Sequence, residues 1–195
     1  WIVNGKDSVG FRLAQEGYDV WLGNNRGTKF SRKHKSIDPN VSGKFFDYSF
    51  YELGQYDAPT QIDFVRAKTG VDKMTYVGHS QGTSQMFSAL AEGHGKLKDK
   101  INLFVALAPV VNLGWTTNGL LKNIKGFVKT VQNSLWTLGI TEFKGPHMTY
   151  GYRTFCLGFP YTCKLIDRFG SMSDNEWNNS DRVAIVEARP GSSGS

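Results

Sequence analysis

Ser80 is the residue whose type and surroundings best suit chemistry, because it lies between two glycines in the run Gly78-His79-Ser80-Gln81-Gly82. This G-x-S-x-G pattern is typical of a nucleophile elbow, in which a strand ends in a sharp turn and a helix begins. The strained turn lifts the serine Oγ clear of the sheet, where it can attack an acyl carbon. A Cβ at either glycine is expected to clash, because the two backbones approach each other there. The alternative interpretation is a glycine-rich turn in a sheet protein.

The residues on both sides of this run favour the elbow. Residues 74–77 are rich in β-forming side chains and directly precede it. After it, Met86, Phe87 and Leu90 recur at helical spacing. The sequence therefore predicts a strand, a turn and a helix around Ser80.

The other elements predicted in the first 110 residues are helices that alternate with apolar strands. Residues 8–16 have a helical pattern, and residues 18–22 are predicted to form a buried strand. A second helix is predicted to begin at Asp57, with its side chain as the cap, and to end at Gly70. The apolar run 103–108 is expected to be a parallel strand covered on both faces. This order predicts the α/β class, with a parallel sheet wrapped by helices.

Composition and charge are those of an ordinary globular protein with a sizeable core, since 39% of the 195 residues are hydrophobic and 21% are charged. The net charge is +6, but the cations are dispersed apart from the cluster 32–35, which is expected to be a solvated loop. No nucleic-acid partner is therefore predicted. No window of 18 apolar residues exists, so no transmembrane helix is expected.

The two cysteines, Cys156 and Cys163, lack the C-x-x-C spacing of zinc sites, and no metal site is predicted. Their spacing leaves open a disulfide or two buried thiols. Asn40 and Asn178 each begin an N-x-S triplet, the acceptor pattern for N-glycosylation. Residues 111–180 have an irregular helical pattern and are predicted to form a separate helical insertion.

Three longer stretches, 17–27, 49–59 and 76–83, closely resemble the acid lipase family, to which gastric and lysosomal acid lipases belong. The resemblance implies a secreted or lysosomal α/β hydrolase that cleaves neutral lipid esters, such as triacylglycerols or cholesteryl esters. It divides the chain into a partial hydrolase core (1–110), a helical cap (111–180) and the start of the return to the core (181–195).

The family pattern also implies a role for each residue of the elbow. Ser80 is the expected nucleophile, and the backbone N–H of Gln81 is one half of the expected oxyanion hole. Gly78, His79 and Gly82 are expected to support the turn. His79 is not the expected base, because a side chain adjacent to the nucleophile points away from its Oγ.

The resemblance implies partners as well as residues. The expected partners are a lipid ester and the lipid–water interface, and no cofactor is expected. Because the implied compartments are secretory, a disulfide between Cys156 and Cys163 is expected within the cap.

The triad acid and base are not expected within this chain, which resembles a middle fragment of the family. The second oxyanion N–H is expected upstream of residues 1–5, and the acid and base beyond residue 195. Two histidines follow His79: His94 is expected in an exposed turn, and His147 lies in the cap. These 195 residues are therefore expected to be inactive alone, since a serine needs a base within reach.

Two other functions remain open from the sequence. A G-x-S-x-G elbow fixes the chemistry but not the acyl or leaving group, so a water-soluble carboxylesterase or thioesterase is the first alternative. The second is a non-catalytic lipid-binding protein on a hydrolase scaffold.

Overall fold

The structure, a computed structural model, describes residues 1, 5–28, 30–41, 43–111, 134 and 137. These residues fall into two compact units. The first contains Trp1–Leu22 and Thr28–Phe30, and the second contains Gly23–Gly27 and the residues from Ser31 onward, including the predicted elbow.

The first unit is built around one short helix. A 3₁₀ turn, Gly5–Asp7, leads into helix α1, Val9–Gln15, with the extended Ser8 at its N-cap position. The helix ends before Gly17, whose φ of 88° is in the left-handed region that favours glycine. The predicted helix over 8–16 is confirmed.

The predicted buried strand over residues 18–22 is wrong. No strand is assigned there, and Tyr18, Trp21 and Leu22 are 65%, 43% and 50% exposed. The composition of a segment gives it β-propensity, but a strand forms only when a neighbour supplies ladder hydrogen bonds. Among the described residues, no ladder includes this segment.

In the second unit, a helix begins earlier than the sequence predicted. Helix α2, Phe50–Glu52, starts at a capping box in which Ser49 Oγ accepts from the Tyr51 N–H at 3.1 Å. In return the Ser49 backbone N–H donates to the Glu52 carboxylate at 2.7 Å. A π-helical turn, Leu53–Asp57, continues directly into helix α3, Ala58–Thr69.

Asp57 is therefore inside the helical run rather than at its start. Its backbone is helical and its side chain makes no capping hydrogen bond, so the predicted cap at Asp57 is wrong. The carboxylate binds Arg26 instead, a partner from another part of the chain that the local sequence around Asp57 does not reveal. The predicted end is confirmed, because Gly70 closes α3 with a φ of 75°.

The sheet of the described residues has two parallel strands. Strand β1, Met74–His79, pairs with strand β2, Ile101–Leu107, in a register that places His79 beside Leu107. The crossover between them contains helix α4, Gln81–Ala91, a 3₁₀ turn, His94–Lys96, and helix α5, Leu97–Lys100. Parallel strands need such a crossover, because a short hairpin cannot join them.

One face of the sheet packs against the helices. Met74 and Tyr76 of β1 and Phe104 of β2 pack against a buried cluster from α3, α4 and α5, namely Ala58, Ile62, Met86, Ala89 and Leu97. On β2, Leu103 is 55% exposed, so the expectation that this strand is covered on both faces is not met within the described residues. An apolar run shows that a strand can be covered, but the covering elements come from elsewhere in the chain.

Parallel strands joined by a helical crossover and packed against helices confirm the predicted α/β class. The predicted cap, 111–180, lies outside the described residues except for Val111, Ser134 and Thr137. The division into core, cap and return segment stays a prediction. Across the described part of the chain, none of the helices combines the length and hydrophobicity needed to span a bilayer.

Candidate active site

Ser80 lies at the apex of a tight turn between β1 and α4. Its φ of 52° and ψ of −116° are unusual for a residue with a side chain, and such backbone strain costs about 1–3 kcal/mol. The turn is held from the sheet side, because the Ser80 backbone N–H donates to the Leu107 carbonyl of β2 at 3.0 Å. Ser80 itself is exposed. A strained, exposed serine at this position is the geometry expected of a nucleophile elbow.

The two glycines of the elbow differ in what surrounds them. A Cβ on Gly78 would lie 2.7 Å from the Gly82 carbonyl oxygen and 2.9 Å from the Tyr76 ring, so a side chain there must displace backbone. A Cβ on Gly82 would meet only the Tyr76 hydroxyl, at an ordinary 3.7 Å. The expected clash is confirmed for Gly78 and wrong for Gly82. It is the carbonyl group of Gly82 that approaches the strand, and its Cβ direction is open.

Thr83 holds the carbonyl group of Ser80. The Thr83 Oγ1 donates to the Ser80 oxygen at 2.6 Å, and the Thr83 backbone N–H donates to the same oxygen at 2.9 Å. The hydroxyl also accepts from the Val110 N–H at 2.9 Å. Because Ser84 Oγ donates to the Val110 carbonyl at 2.8 Å, the start of α4 is tied to the segment that follows β2.

Tyr76 holds the other carbonyl group of this turn. Its hydroxyl donates to the Gly82 oxygen at 3.0 Å and accepts from Gln85 Nε2 at 2.9 Å. Burial raises the pKa of Tyr76, and the hydrogen bond from Gln85 partly opposes that shift. The phenol is therefore protonated at neutral pH and available as the donor to Gly82.

Gln85 extends this contact into a chain of amide side chains. Its Oε1 accepts from Asn25 Nδ2 at 2.7 Å, and Asn25 Oδ1 accepts from Gln61 Nε2 at 3.2 Å. We call Gln61, Asn25, Gln85 and Tyr76 the polar chain. It connects α3, the loop Gly23–Gly27, α4 and β1 behind the elbow.

The next residue of the same loop, Arg26, is also fixed by several contacts. The Arg26 Nη2 lies 2.6 Å from Asp57 Oδ1, and its backbone N–H donates to Asp57 Oδ2 at 2.7 Å. The Arg26 guanidinium carbon is 5.6 Å and 5.5 Å from the ring centroids of Tyr48 and Tyr56. The Tyr48 hydroxyl donates to the Arg26 carbonyl at 2.8 Å. Since the Asp57 side chain is only 9% exposed, this pair is largely shielded from water.

Asn25, Arg26 and Asp57 lie within the stretches that resemble the acid lipase family, but the sequence did not predict the polar chain. The sequence carried no local signal for it, because Gln85 is one of several uncharged polar residues of α4, and only the structure shows that its side chain is 4% exposed. A buried amide must find partners, which indicates a network but does not identify its members.

His79 and Gln81 flank the serine as predicted. His79 is the last residue of β1 and is exposed, and Gln81 is the first residue of α4. The backbone N–H of Gln81 thus belongs to the first helical turn, where the helix dipole favours negative charge. The predicted roles of the two residues remain predictions.

His94 is not in an exposed turn, and this expectation is wrong. Its ring is half-buried and packs edge-on against Tyr51 at 5.6 Å, and its Nε2 is buried without a hydrogen-bond partner. The aromatic contact comes from α2, which local sequence does not reveal. His94 follows the C-terminal end of α4, whereas Ser80 precedes its N-terminal end. The 11-residue helix separates them by about 16 Å at 1.5 Å per residue.

Other predicted site residues lie outside the described part of the chain: His147, Cys156, Cys163 and Asn178. Asn40 is described and exposed, in a turn where its backbone N–H donates to Asp38 Oδ1 at 2.8 Å. Glycosylation there stays a prediction. Within the described ranges, no three His, Cys, Asp or Glu residues are grouped to hold a metal ion.

Residues 8–129 match the family model described as alpha/beta hydrolase fold, and the chain belongs to that family. Within it, the chain is 47% identical over 117 residues to gastric triacylglycerol lipase of Bos taurus. The matched segment is 60% of this chain and 29% of that lipase. It is 41% identical over 123 residues to lysosomal acid lipase/cholesteryl ester hydrolase of Homo sapiens, covering 63% and 30%. With lipase lipl-5 of Caenorhabditis elegans it shares 45% identity over 134 residues, covering 68% and 31%.

These comparisons confirm the resemblance to gastric and lysosomal acid lipases. The matched segment spans less than a third of the length of each of these relatives.

Proposed function

We propose that the protein containing this chain is a serine ester hydrolase of the lipase type, which acts through an acyl-enzyme on Ser80. The observation that carries the proposal is the strained φ of 52° at Ser80, at the junction of β1 and α4. A non-glycine residue adopts this unfavourable conformation only where the surrounding structure imposes it, and such strain is concentrated at functional sites.

The chemistry follows from the position of the serine. Its Oγ attacks the ester carbonyl carbon while its proton passes to a base, and negative charge develops on the carbonyl oxygen. The N-terminal turn of α4, with the Gln81 N–H, supplies the stabilising dipole. The alcohol then leaves with a proton, and water hydrolyses the acyl-enzyme. By family resemblance the acid and histidine base come from outside these 195 residues, which alone are then inactive.

The proposed substrates are neutral lipid esters at a lipid–water interface. Support comes from relatives named gastric triacylglycerol lipase and lysosomal acid lipase/cholesteryl ester hydrolase. The same relatives support a secreted or lysosomal location, a compartment in which a Cys156–Cys163 disulfide would persist. The reaction needs no metal or cofactor, because the nucleophile, base and oxyanion donors are all protein groups.

The test is a comparison of wild type, Ser80→Ala and Ser88→Ala in the full-length protein. Ser88 is a matched control, since it lies on the same helix. We expect Ser80→Ala to lose labelling by a fluorophosphonate probe and to lose several orders of magnitude in ester hydrolysis. Ser88→Ala should keep both. Labelling of Ser80→Ala at the wild-type rate would refute the proposed nucleophile.

Substrate class is tested separately with the wild-type protein. Faster hydrolysis of emulsified triacylglycerols or cholesteryl esters than of dissolved short-chain esters supports the lipase. The reverse preference would indicate a water-soluble esterase or thioesterase. Binding of lipid without any turnover would indicate a non-catalytic lipid-binding protein.

A further inference from the structure

The peptide group between Ser80 and Gln81 links two parts of the elbow. Its carbonyl oxygen belongs to Ser80 and its N–H to Gln81, and both lie in one rigid plane, pointing in opposite directions. Whatever fixes the direction of the Ser80 carbonyl therefore also fixes the direction of the Gln81 N–H. The nearest side chain that does so is the hydroxyl of Thr83, 2.6 Å from the Ser80 oxygen.

The hydroxyl proton of Thr83 is donated to the Ser80 carbonyl. Thr83 is fully buried, with 0% of its surface exposed, so water does not compete for the hydroxyl. Its Oγ1 already accepts from the Val110 N–H at 2.9 Å, which leaves its own proton to donate to Ser80. The side chain is thus held between the segment after β2 and the peptide group of the elbow, and its rotation is restricted from both sides.

We infer that Thr83 is a positioning residue that aims the Gln81 N–H at the oxyanion, an inference that rests on the proposed function. An oxyanion donor contributes most when it is oriented before the reaction begins, since no reorganisation is then needed. Thr83 binds the Ser80 carbonyl oxygen and acts through the shared peptide plane. The competing interpretation is that its hydroxyl only anchors the segment after β2.

Two substitutions separate orientation from packing. Thr83→Val keeps the shape of the buried side chain but removes the hydroxyl, whereas Thr83→Ser keeps the hydroxyl and removes a buried methyl group. We expect Thr83→Val to lower kcat about tenfold with KM within about twofold of wild type, less than the loss of a whole oxyanion donor. Thr83→Ser is expected to restore kcat to within about twofold of wild type while lowering Tm, because a buried methyl contact is lost.

Ser84→Ala is the matched control, because it removes another hydrogen bond to Val110 without touching the Ser80 carbonyl. We expect its kcat to stay within about twofold of wild type. An equal loss of kcat in Ser84→Ala and Thr83→Val would show that anchoring of the Val110 segment matters, and would overturn the inference. Unchanged kcat in a folded Thr83→Val would overturn it too.

The experiment uses the full-length protein, a short-chain nitrophenyl ester and circular dichroism to verify folding. If Thr83→Val does not fold, Thr83→Ala, which removes the hydroxyl without placing a methyl group against the carbonyl, is held to the same kcat criterion. Ser80→Ala is measured in parallel. Loss of activity in Ser80→Ala with full activity in the Thr83 variant refutes only this inference. Retained activity in Ser80→Ala refutes the proposed function and the inference together.

Discussion

Asn25 and Gln85 are 60 positions apart in the chain, yet Asn25 Nδ2 donates to Gln85 Oε1 at 2.7 Å. This contact joins the loop Gly23–Gly27 to α4, the helix that follows Ser80. Gln85 passes the connection on to Tyr76, whose hydroxyl holds the Gly82 carbonyl. The turn at Ser80 is thus held by the polar chain as well as by its backbone hydrogen bond to strand β2.

The Asn25–Gln85 contact is expected to be energetically coupled. A double-mutant cycle with Asn25→Ala and Gln85→Ala should give a coupling free energy of about 0.5–1.5 kcal/mol, because each single change leaves Gln85 Oε1 or Asn25 Nδ2 without this partner in a part-buried site. Urea denaturation of the full-length protein measures it. The matched control is the exposed pair Thr75 and Asn102, joined at 3.1 Å. Equal coupling in both pairs would contradict the expectation.

Gly78 and Gly82 should respond differently to alanine. Gly78→Ala is expected to destabilise the protein by about 1–3 kcal/mol or to prevent folding, because the new Cβ meets the Gly82 backbone. Gly82→Ala has room for its Cβ, and it should be neutral or stabilising by up to about 1 kcal/mol through helix propensity. Thermal denaturation of both variants provides the measurement. Similar losses of Tm would show that Gly82 is as constrained as Gly78.

The Arg26–Asp57 pair should contribute more to stability than a surface ion pair. Asp57→Asn leaves Arg26 with a neutral partner in a site where the Asp57 side chain is only 9% exposed. We expect the free energy of unfolding to fall by about 1–3 kcal/mol, a range that already allows for solvent screening because Arg26 is one-third exposed. Asp7→Asn is the control, since the Arg12 and Asp7 side chains are 63% and 58% exposed. That variant should lose less than about 0.5 kcal/mol in the free energy of unfolding. A larger loss in the control would refute the prediction.

Glu52 is expected to make the protein less stable in acid. The hydrogen bond from the Ser49 backbone N–H, followed by that from the Ser49 hydroxyl, lowers the pKa of Glu52. Because the folded-state pKa lies below the unfolded one, this contribution is fully present above the unfolded pKa and is lost as the pH falls through the folded pKa. Urea denaturation at neutral and acidic pH should show that Glu52→Gln loses less stability on acidification than wild type. Equal losses in the two proteins would rule out a contribution from Glu52.

Local sequence determined the elements whose signals lie within a few residues. The helix Val9–Gln15 has its own periodicity and is closed by Gly17, and the elbow has a β-forming run, a turn and a helical face in succession. The capping box of Ser49 and Glu52 was also readable as S-x-x-E, although the prediction placed the helix start at Asp57 instead. Such features need no distant partner, so the sequence suffices for them.

Only the tertiary structure decided the contacts between distant segments. It directed Asp57 to Arg26 rather than to a helix end, placed Asn25 against Gln85, and left residues 18–22 without a strand. It also distinguished Gly78 from Gly82, which occupy equivalent places in the motif. The physical reason is that a hydrogen bond, an ion pair or a steric clash depends on which atoms lie within about 3 Å, and those neighbours are set by the packing of the whole fold.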